Sequence, residues 1–179
     1  MSENDEAIKN VLTAFAQYGF RKTSMEDLSR AASMSRQTLY KRFGSKEAIR
    51  DWALGAYCGA MLEMSLGELN AADRPASESV AAAFDRWAGD QVELVTHAPH
   101  GIELLEMAAE MFTELERDPV ALLEEGLANF FIKQGLMEDE HKARDAAYLL
   151  IVSSKGLLLK SRTPEDYHKG TLRFFNALF

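Results

Sequence analysis

The chain has 179 residues, a hydrophobic content of 47% and a formal net charge of −8. This length allows one domain, or a small domain beside a larger one, and the apolar content suffices for a buried core. The single cysteine, Cys58, excludes an intrachain disulfide, and the longest apolar run, 146–152, is too short to span a membrane. The acidic start lacks an apolar segment, so we expect no secretory signal and a cytoplasmic protein.

Charge is distributed unevenly along the chain. Residues 1–50 carry nine Lys or Arg and six Asp or Glu, for +3, whereas residues 51–179 carry −11. A basic segment on an acidic protein attracts phosphate at one end and repels it elsewhere. The distribution therefore favours nucleic-acid binding through the N-terminal part.

The first fifty residues contain start and stop signals for closely spaced helices. Apolar residues at helical spacing predict a first helix over about 5–18, which ends at Gly19. Thr23 and Glu26 fit a capping box for a second helix. Two short helices joined by a tight turn, the second of them basic, are typical of a helix-turn-helix.

The second helix of this pair is short and basic. Ser35 is suited to cap a helix that begins at Arg36, and Leu39 and Phe43 share its inward face. Gly44 suits the end of that helix. The remaining side chains of the helix are polar or basic, and we expect them to face a major groove.

These residues resemble the helix-turn-helix of the TetR family of transcriptional regulators. Beyond about residue 50 the chain shares only the general plan of that family, an all-helical second domain. Ser29, Ser33 and Met34 stand where Ala, Gly and Val are usual in the family. If Ser33 is left-handed, the strain is on the order of 1 kcal/mol. The likeness lies in Thr23, Ser24, Leu28, Ala32, Ser35, Thr38, Leu39, Tyr40, Phe43 and the run 45–49.

The remaining chain predicts further helices and no strand, which makes the protein all-α with about nine helices. We expect a three-helix DNA-binding domain at 1–50 and a helical bundle for effector binding and dimerisation at 51–179. The later helices are expected at about 45–71, 75–97, 101–117, 119–134, 139–160 and 164–178.

The predicted DNA-binding residues lie in and around the helix-turn-helix. Arg36 and Gln37 suit base edges, and Thr38 can assist through its hydroxyl or methyl. The others are expected to cap a helix or hold phosphates. The set is Thr23, Ser24, Ser35, Arg36, Gln37, Thr38, Tyr40, Lys41 and Lys46. The alternative is an ordinary amphipathic hairpin with a solvated basic face.

Methionine and aromatic side chains in the central helices can line an adaptable cavity, although any helical core also contains them. The family resemblance implies a small effector there. The predicted effector set is Met64, Phe84, Trp87, His97, His100, Glu103, Met107, Met111 and Phe130. His97, His100 and Glu103 are spaced like weak metal ligands, but histidines at a pocket rim are the preferred interpretation. We expect no metal and no cofactor.

The last two helices carry a stripe of small residues and an aromatic end with two apolar faces. The resemblance implies that they form the four-helix interface of a homodimer. The predicted interface is Ala143, Ala147, Leu150, Ser154, Leu157, Thr171, Phe174, Phe175 and Leu178. The alternative is a wide face that is buried within one chain.

The sequence contains no phosphate-binding glycine loop, nucleophile elbow or zinc-protease motif, so an enzyme is the least favoured class. The sequence predicts a homodimeric repressor that a small hydrophobic effector releases from a near-palindromic DNA operator. The alternative is an effector-independent DNA-binding or adaptor protein with a filled helical body. Cys58 is interpreted as a buried small residue rather than a redox switch.

Overall fold

The computed structural model describes residues 3–71, 74–113 and 118–179. These residues form α-helices and one short 3-10 helix, Gly89–Gln91, and they contain no strand. The all-α fold predicted from the sequence is confirmed. The helices are α1 (Glu3–Tyr18), α2 (Met25–Ala31), α3 (Arg36–Phe43), α4 (Lys46–Leu69), α5 (Ala76–Trp87), α6 (Val92–His97), α7 (Gly101–Thr113), α8 (Pro119–Lys133), α9 (Glu140–Lys160) and α10 (Pro164–Leu178).

Two glycines end helices where the sequence predicted. Gly19 follows α1 with a φ of 77°, and Gly44 follows α3 with a φ of 78°. A left-handed residue after a helix lets the chain leave it, and glycine adopts that conformation without a Cβ clash. These two residues therefore fix the lengths of α1 and α3.

The cap of α2 lies one residue later than predicted. Ser24, not Thr23, is the N-cap: its Oγ accepts from the Asp27 N–H at 3.2 Å, and its own N–H donates to Asp27 Oδ2 at 3.0 Å. Thr23 is buried instead, and its hydroxyl donates to the Gly19 carbonyl at 2.7 Å. Serine and threonine are both good caps, so the tertiary burial of Thr23 decides which of the two residues caps α2.

The single helix predicted over 75–97 is broken. It consists of α5, the 3-10 helix and α6, because Ala88 leaves the helical region with a φ of −146°. Gly89 then passes close to Tyr167, where a Cβ would lie 3.0 Å from the ring. Apolar residues keep their helical spacing across this break, so the sequence pattern does not indicate that the helix ends there. The end predicted for α7 near residue 117 lies outside the described residues.

Contacts between Cα atoms divide the chain into two compact units. The first unit comprises Met1–Ala60 and Leu94–Glu114, and the second comprises Met61–Glu93 and Leu115–Phe179. The first unit thus includes α7 together with α1, α2 and α3, which the division predicted at residue 50 did not anticipate. The functional assignment of 1–50 and 51–179 stays a prediction.

The first unit has a continuous apolar core. Leu28 of α2, Leu39 of α3 and Ile49 of α4 are each fully buried. Burial of one such side chain stabilises the fold by about 1.5–3 kcal/mol, so single leucines anchor the two short helices. The other core residues are Ala7, Ile8, Val11, Leu12, Phe15, Ala16, Ala32, Ala53, Leu54 and Leu104.

The start of α7 packs against the end of α1 within this unit. The His100 N–H donates to the Ala16 carbonyl at 2.8 Å. A Cβ on Gly19 would lie 2.9 Å from the His100 ring. Gly19 is therefore required twice, for its left-handed backbone and for the space that His100 occupies.

The second unit is built from α5, α8, α9 and α10 with the end of α4. Its largest fully buried side chains are Phe84, Leu123, Leu127, Phe131, Leu150 and Tyr167. A polar contact joins two of the helices, because His168 Nδ1 on α10 lies 2.7 Å from Asp85 Oδ2 on α5. Burial raises the pKa of Asp85 above its usual value, and the bond to His168 opposes that shift.

The turn between α2 and α3 contains the left-handed residue considered from the sequence. Ser33 has a φ of 55°, a conformation in which its Cβ is strained. The partly buried hydroxyl of Ser29 donates to the Met34 carbonyl at 2.6 Å, and the Met34 N–H donates to the Ser29 carbonyl at 3.0 Å. Ser29 thus supplies a bond across the turn that alanine could not make.

We predict that Ser29→Ala lowers the free energy of unfolding by about 1 kcal/mol, the usual contribution of one such hydrogen bond. Urea denaturation followed by circular dichroism measures this change. Ser33→Ala is the matched control, because it removes an exposed hydroxyl from the same turn while keeping the Cβ. Equal effects of the two substitutions would contradict the role given to Ser29.

Candidate nucleic-acid interface

Helix α3 presents a polar and basic surface. Leu39 is fully buried, whereas Arg36, Gln37, Thr38, Tyr40 and Lys41 are all exposed, with Tyr40 at 49%. Exposure of a tyrosine and two cations on one short helix leaves them free to meet a partner surface. All five belong to the DNA-binding set predicted from the sequence.

The start of α3 is fixed by its cap. Ser35 Oγ accepts from the Thr38 N–H at 3.0 Å and lies 2.8 Å from Thr38 Oγ1. The cap predicted at Ser35 is confirmed. Because the Thr38 hydroxyl is already paired, its methyl group is the part that suits a thymine methyl.

Aromatic stacking holds the end of α3 against α4. The rings of Phe43 and Trp52 are 4.8 Å apart between centroids, and the Arg42 guanidinium lies 5.0 Å from the Phe43 ring and 5.3 Å from the Trp52 ring. Cation–π contacts of this kind contribute about 0.5–1 kcal/mol at exposed sites. Arg42 therefore stabilises the docking of α3 on α4.

The guanidinium of Arg36 has a weak partner in this structure. Its Nη1 lies 3.8 Å from Glu26 Oε2, and both side chains are mostly exposed, at 59% and 65%. Such a surface ion pair contributes about 0–1 kcal/mol. Arg36 can therefore leave Glu26 for a guanine edge at little cost.

Lys46, which is predicted to hold phosphate, contacts the backbone of the chain in this structure. Its Nζ donates to the carbonyls of Phe20 at 2.7 Å, Arg21 at 3.2 Å and Thr23 at 3.0 Å. It also lies 4.7 Å from the centroid of the Phe20 ring. An ammonium has three N–H donors, so these carbonyls account for all of them.

The predicted phosphate site at the start of α2 is largely occupied by the chain itself. Thr23 is buried, and the Ser24 hydroxyl and N–H both bond to the Asp27 carboxylate, at 2.6 and 3.0 Å. These bonds to Ser24 lower the pKa of Asp27 below its usual value and keep it charged. Thr23 is thus a structural residue of the turn rather than a surface contact.

Two exposed basic residues were not assigned from the sequence. Arg21 and Lys22 lie in the turn between α1 and α2, separated from the Ser24 cap by Thr23. An adjacent basic pair before a helix cap was the available signal. The sequence alone could not separate them from Lys46, whose charge is the same.

The nine predicted effector residues do not share one environment. Phe84, Trp87 and Phe130 are buried in the second unit, where Met64 is 47% exposed. His97, His100, Glu103, Met107 and Met111 belong to the first unit. His100 Nδ1 lies 2.8 Å from Glu103 Oε2, and the described residues contain no group of three His, Cys, Asp or Glu side chains that could hold a metal.

One cavity of the second unit includes a predicted effector residue. It has a volume of about 200 Å³ and lies between α4 and α8. Its apolar wall includes Phe130, and its polar groups include the exposed Lys133. The lining residues are Leu66, Leu69, Asn70, Gly126, Asn129, Phe130 and Lys133.

The small-residue stripe predicted as the dimer interface is buried within the chain. Ala143 and Ala147 are fully buried, and Leu150, Ser154, Thr171 and Phe175 are at most 6% exposed. Leu157, Phe174 and Leu178 are half-buried. These side chains pack on the second unit itself, because Gly170 of α10 leaves the space that Leu157 of α9 fills. The stripe is therefore an intrachain contact.

The opposite side of α9 is apolar and exposed. Tyr148, Leu149, Val152 and Leu159 have exposed fractions of 56%, 50%, 53% and 47%. Their spacing places them on one face of the helix. A Cβ on Gly156, which shares this face, would meet no neighbouring atom within 4 Å. We call Tyr148, Leu149, Val152, Gly156 and Leu159 the exposed face of α9.

Two further features bear on alternative functions. Cys58 is buried, and burial raises the pKa of its thiol to about 12, which disfavours the reactive thiolate. None of the helices in the described ranges combines the length and apolar character of a membrane span.

Comparison with known proteins adds to this geometry. Residues 12–51 match the family described as bacterial regulatory proteins, tetR family. No curated protein sequence is significantly similar to the chain. A transcriptional regulator from Rhodococcus sp. RHA1 has a TM-score of 0.73 at 16% identity over 99% of this chain and 96% of its own.

Two other solved structures are similar along their full length. The fatty acid degradation regulator FadR from Bacillus halodurans has a TM-score of 0.71 at 15% identity, over 97% of this chain and 96% of its own. A TetR transcriptional regulator from Legionella pneumophila has a TM-score of 0.68 at 20% identity, over 99% and 97%. At such identities the likeness shows the shared fold.

The match therefore identifies a helix-turn-helix segment of the tetR family within residues 12–51, and the solved structures show that the whole chain shares the fold of these regulators.

Proposed function

We propose that this protein is a homodimeric repressor of the TetR family that reads a near-palindromic operator through α3. The observation that carries the proposal is the exposed row of Arg36, Gln37, Thr38, Tyr40 and Lys41 on a helix whose apolar side is fully buried. Arginine suits guanine, and glutamine suits adenine, in the major groove. The first residues of a recognition helix reach the bases, which favours Arg36 and Gln37 over Lys41.

The exposed face of α9 supports the dimer. A row of large apolar side chains is a usual mark of a protein interface. Gly156 supports a second helix as the occupant, because nothing in the chain's own packing requires a glycine there. A twofold dimer would place two copies of α3 roughly 34–36 Å apart, or a multiple of that distance, on one side of the duplex.

The cavity between α4 and α8 supports a small effector. At about 200 Å³ it is below the range of roughly 300–1,000 Å³ typical of ligand pockets, so a small molecule fits best. Leu66, Leu69 and Phe130 suit a short hydrocarbon chain, and Lys133 suits a carboxylate at its end. Binding there releases DNA only if the effector prefers the conformation that does not bind DNA.

The effector-independent alternative has an observation of its own. Phe84, Trp87 and Phe130, three of the predicted effector residues, are at most 9% exposed and act as core of the second unit. A body that is filled in this way would bind DNA without small-molecule control. The two proposals differ in whether any ligand changes the affinity for operator.

Arg36→Ala should weaken operator binding by roughly 1–3 kcal/mol and relax base preference at one position of each half-site. Binding-site selection followed by fluorescence anisotropy measures both effects. Arg144→Ala, an exposed arginine of α9, is the control for loss of charge. Selection that enriches no sequence for the unaltered chain would refute operator reading.

The double substitution Leu149→Asp and Val152→Asp should convert the dimer to a monomer, because it buries two charges in the proposed interface. Sedimentation at micromolar protein measures the assembly. Glu125→Lys and Leu157→Ala are the controls: the first alters an exposed site of α8, and the second alters the half-buried side of α9. A double variant that still sediments as a dimer would remove the exposed face of α9 from the proposal.

Hexanoate should raise the melting temperature and weaken operator binding, whereas hexylamine should do neither, because Lys133 repels its charge. By linkage, operator must weaken hexanoate binding by the same factor. Lys133→Met should abolish the preference for the carboxylate. If no ligand of a small-molecule panel changes affinity for operator, the effector-independent alternative replaces this part of the proposal.

A further inference from the structure

The turn between α1 and α2, residues 19–23, carries two exposed cations that the proposed function does not use. Arg21 and Lys22 are adjacent and exposed, whereas Phe20 is half-buried and Thr23 is buried. The turn is closed because the Gly19 carbonyl accepts from both the N–H and the hydroxyl of Thr23, at 3.0 and 2.7 Å. Two positive charges therefore extend from a backbone of defined shape.

Lys46 holds the middle of this turn. The carbonyls of Phe20, Arg21 and Thr23 converge on its Nζ, at 2.7–3.2 Å. Without the ammonium group, the oxygens of these three carbonyls would face one another with no hydrogen-bond donor between them. Transfer of the Nζ to a phosphate would take this donor away from the Phe20 and Thr23 carbonyls, whose contacts with it are partly buried. Lys46 is therefore better suited to shape the turn than to contact DNA.

The turn is continuous with the DNA-reading surface. It leads into Ser24, the cap of α2, and Glu26 in the first turn of α2 lies 3.8 Å from Arg36 at the start of α3. Phosphates border the major groove that a recognition helix enters. The basic pair lies in the turn that leads into the first helix of this surface, which places it to meet the phosphates that flank a half-site.

We infer that Arg21 and Lys22 bind DNA phosphates beside the half-site, and that Lys46 is a positioning residue that acts through the turn. The inference rests on the DNA binding of the proposed function and adds two contacts to it. It also replaces the expectation, drawn from charge and position, that Lys46 itself holds phosphate.

The first experiment compares the salt dependence of operator binding in two double variants. Each phosphate contact contributes about 0.9 to the slope of log K against log salt. Arg21→Ala with Lys22→Ala should therefore lower the slope by about 1.8 for each bound protomer, and leave base preference unchanged. Lys142→Ala with Arg144→Ala removes the same charge from exposed positions of α9, and should leave the slope unchanged.

The second experiment tests whether Lys46 acts through the turn. Lys46→Met should weaken binding and lower the slope in the unaltered chain, but change neither when Arg21 and Lys22 are already alanine. Lys46→Arg keeps the charge but cannot aim three N–H groups at one point, so it should behave like Lys46→Met. Circular dichroism and the melting temperature establish that each variant is folded.

The outcomes separate this inference from the proposed function. An unchanged salt slope in the Arg21 and Lys22 double variant would overturn the inference. It would also be overturned if Lys46→Met had the same effect in the unaltered chain and in that double variant, because Lys46 would then contact phosphate itself. If Lys46→Met does not fold, the two double variants still test the phosphate contacts of Arg21 and Lys22, and Lys46→Arg still tests the positioning role of Lys46. An unaltered chain that binds no DNA would overturn the proposed function together with the inference.

Discussion

The exposed polar surface of α3 depends on the burial of one apolar side of α1. Helices α2 and α3 are only seven and eight residues long, and isolated helices of that length are not stable in water. They exist because Leu28 and Leu39 are fully buried in one apolar cluster with Val11, Leu12 and Phe15. The polar groups of α3 are then aimed outward as a consequence. Substitutions that disrupt this core would therefore abolish the exposed surface of α3 even if none of its exposed residues were changed.

Much of the first unit could be predicted because its signals are local. Gly19, Gly44 and Ser35 mark helix ends by their own chemistry, and the spacing of Leu39 and Phe43 fixes which side of α3 is polar. The cap of α2 was predicted wrongly because a tertiary contact decides it, and the contacts of Lys46 were not foreseen for the same reason. Thr23 and Ser24 are equivalent as caps until one of them is buried, and the charge of Lys46 does not reveal that three carbonyls surround it.

The second unit was less predictable for a related reason. Helix α9 has two apolar sides, and the sequence indicates both without telling which one packs on its own chain. The stripe of small residues was assigned to a partner, but Gly170 allows α10 to fill that side. The larger residues Tyr148, Leu149 and Val152 remain exposed instead. Likewise, Phe84 suits a cavity wall and a core equally well until its neighbours are known.

The place of α7 in the first unit limits how the DNA-binding part can be moved between proteins. The backbone N–H of His100, the residue before α7, donates to the Ala16 carbonyl, and Leu104 of α7 is part of the core around α1. A fragment that ends after α3 or within α4 would leave that side of α1 uncovered and prone to aggregate. A chimera that transplants this helix-turn-helix onto another protein therefore has to carry 94–113 along with the first sixty residues, or supply a host helix of the same shape.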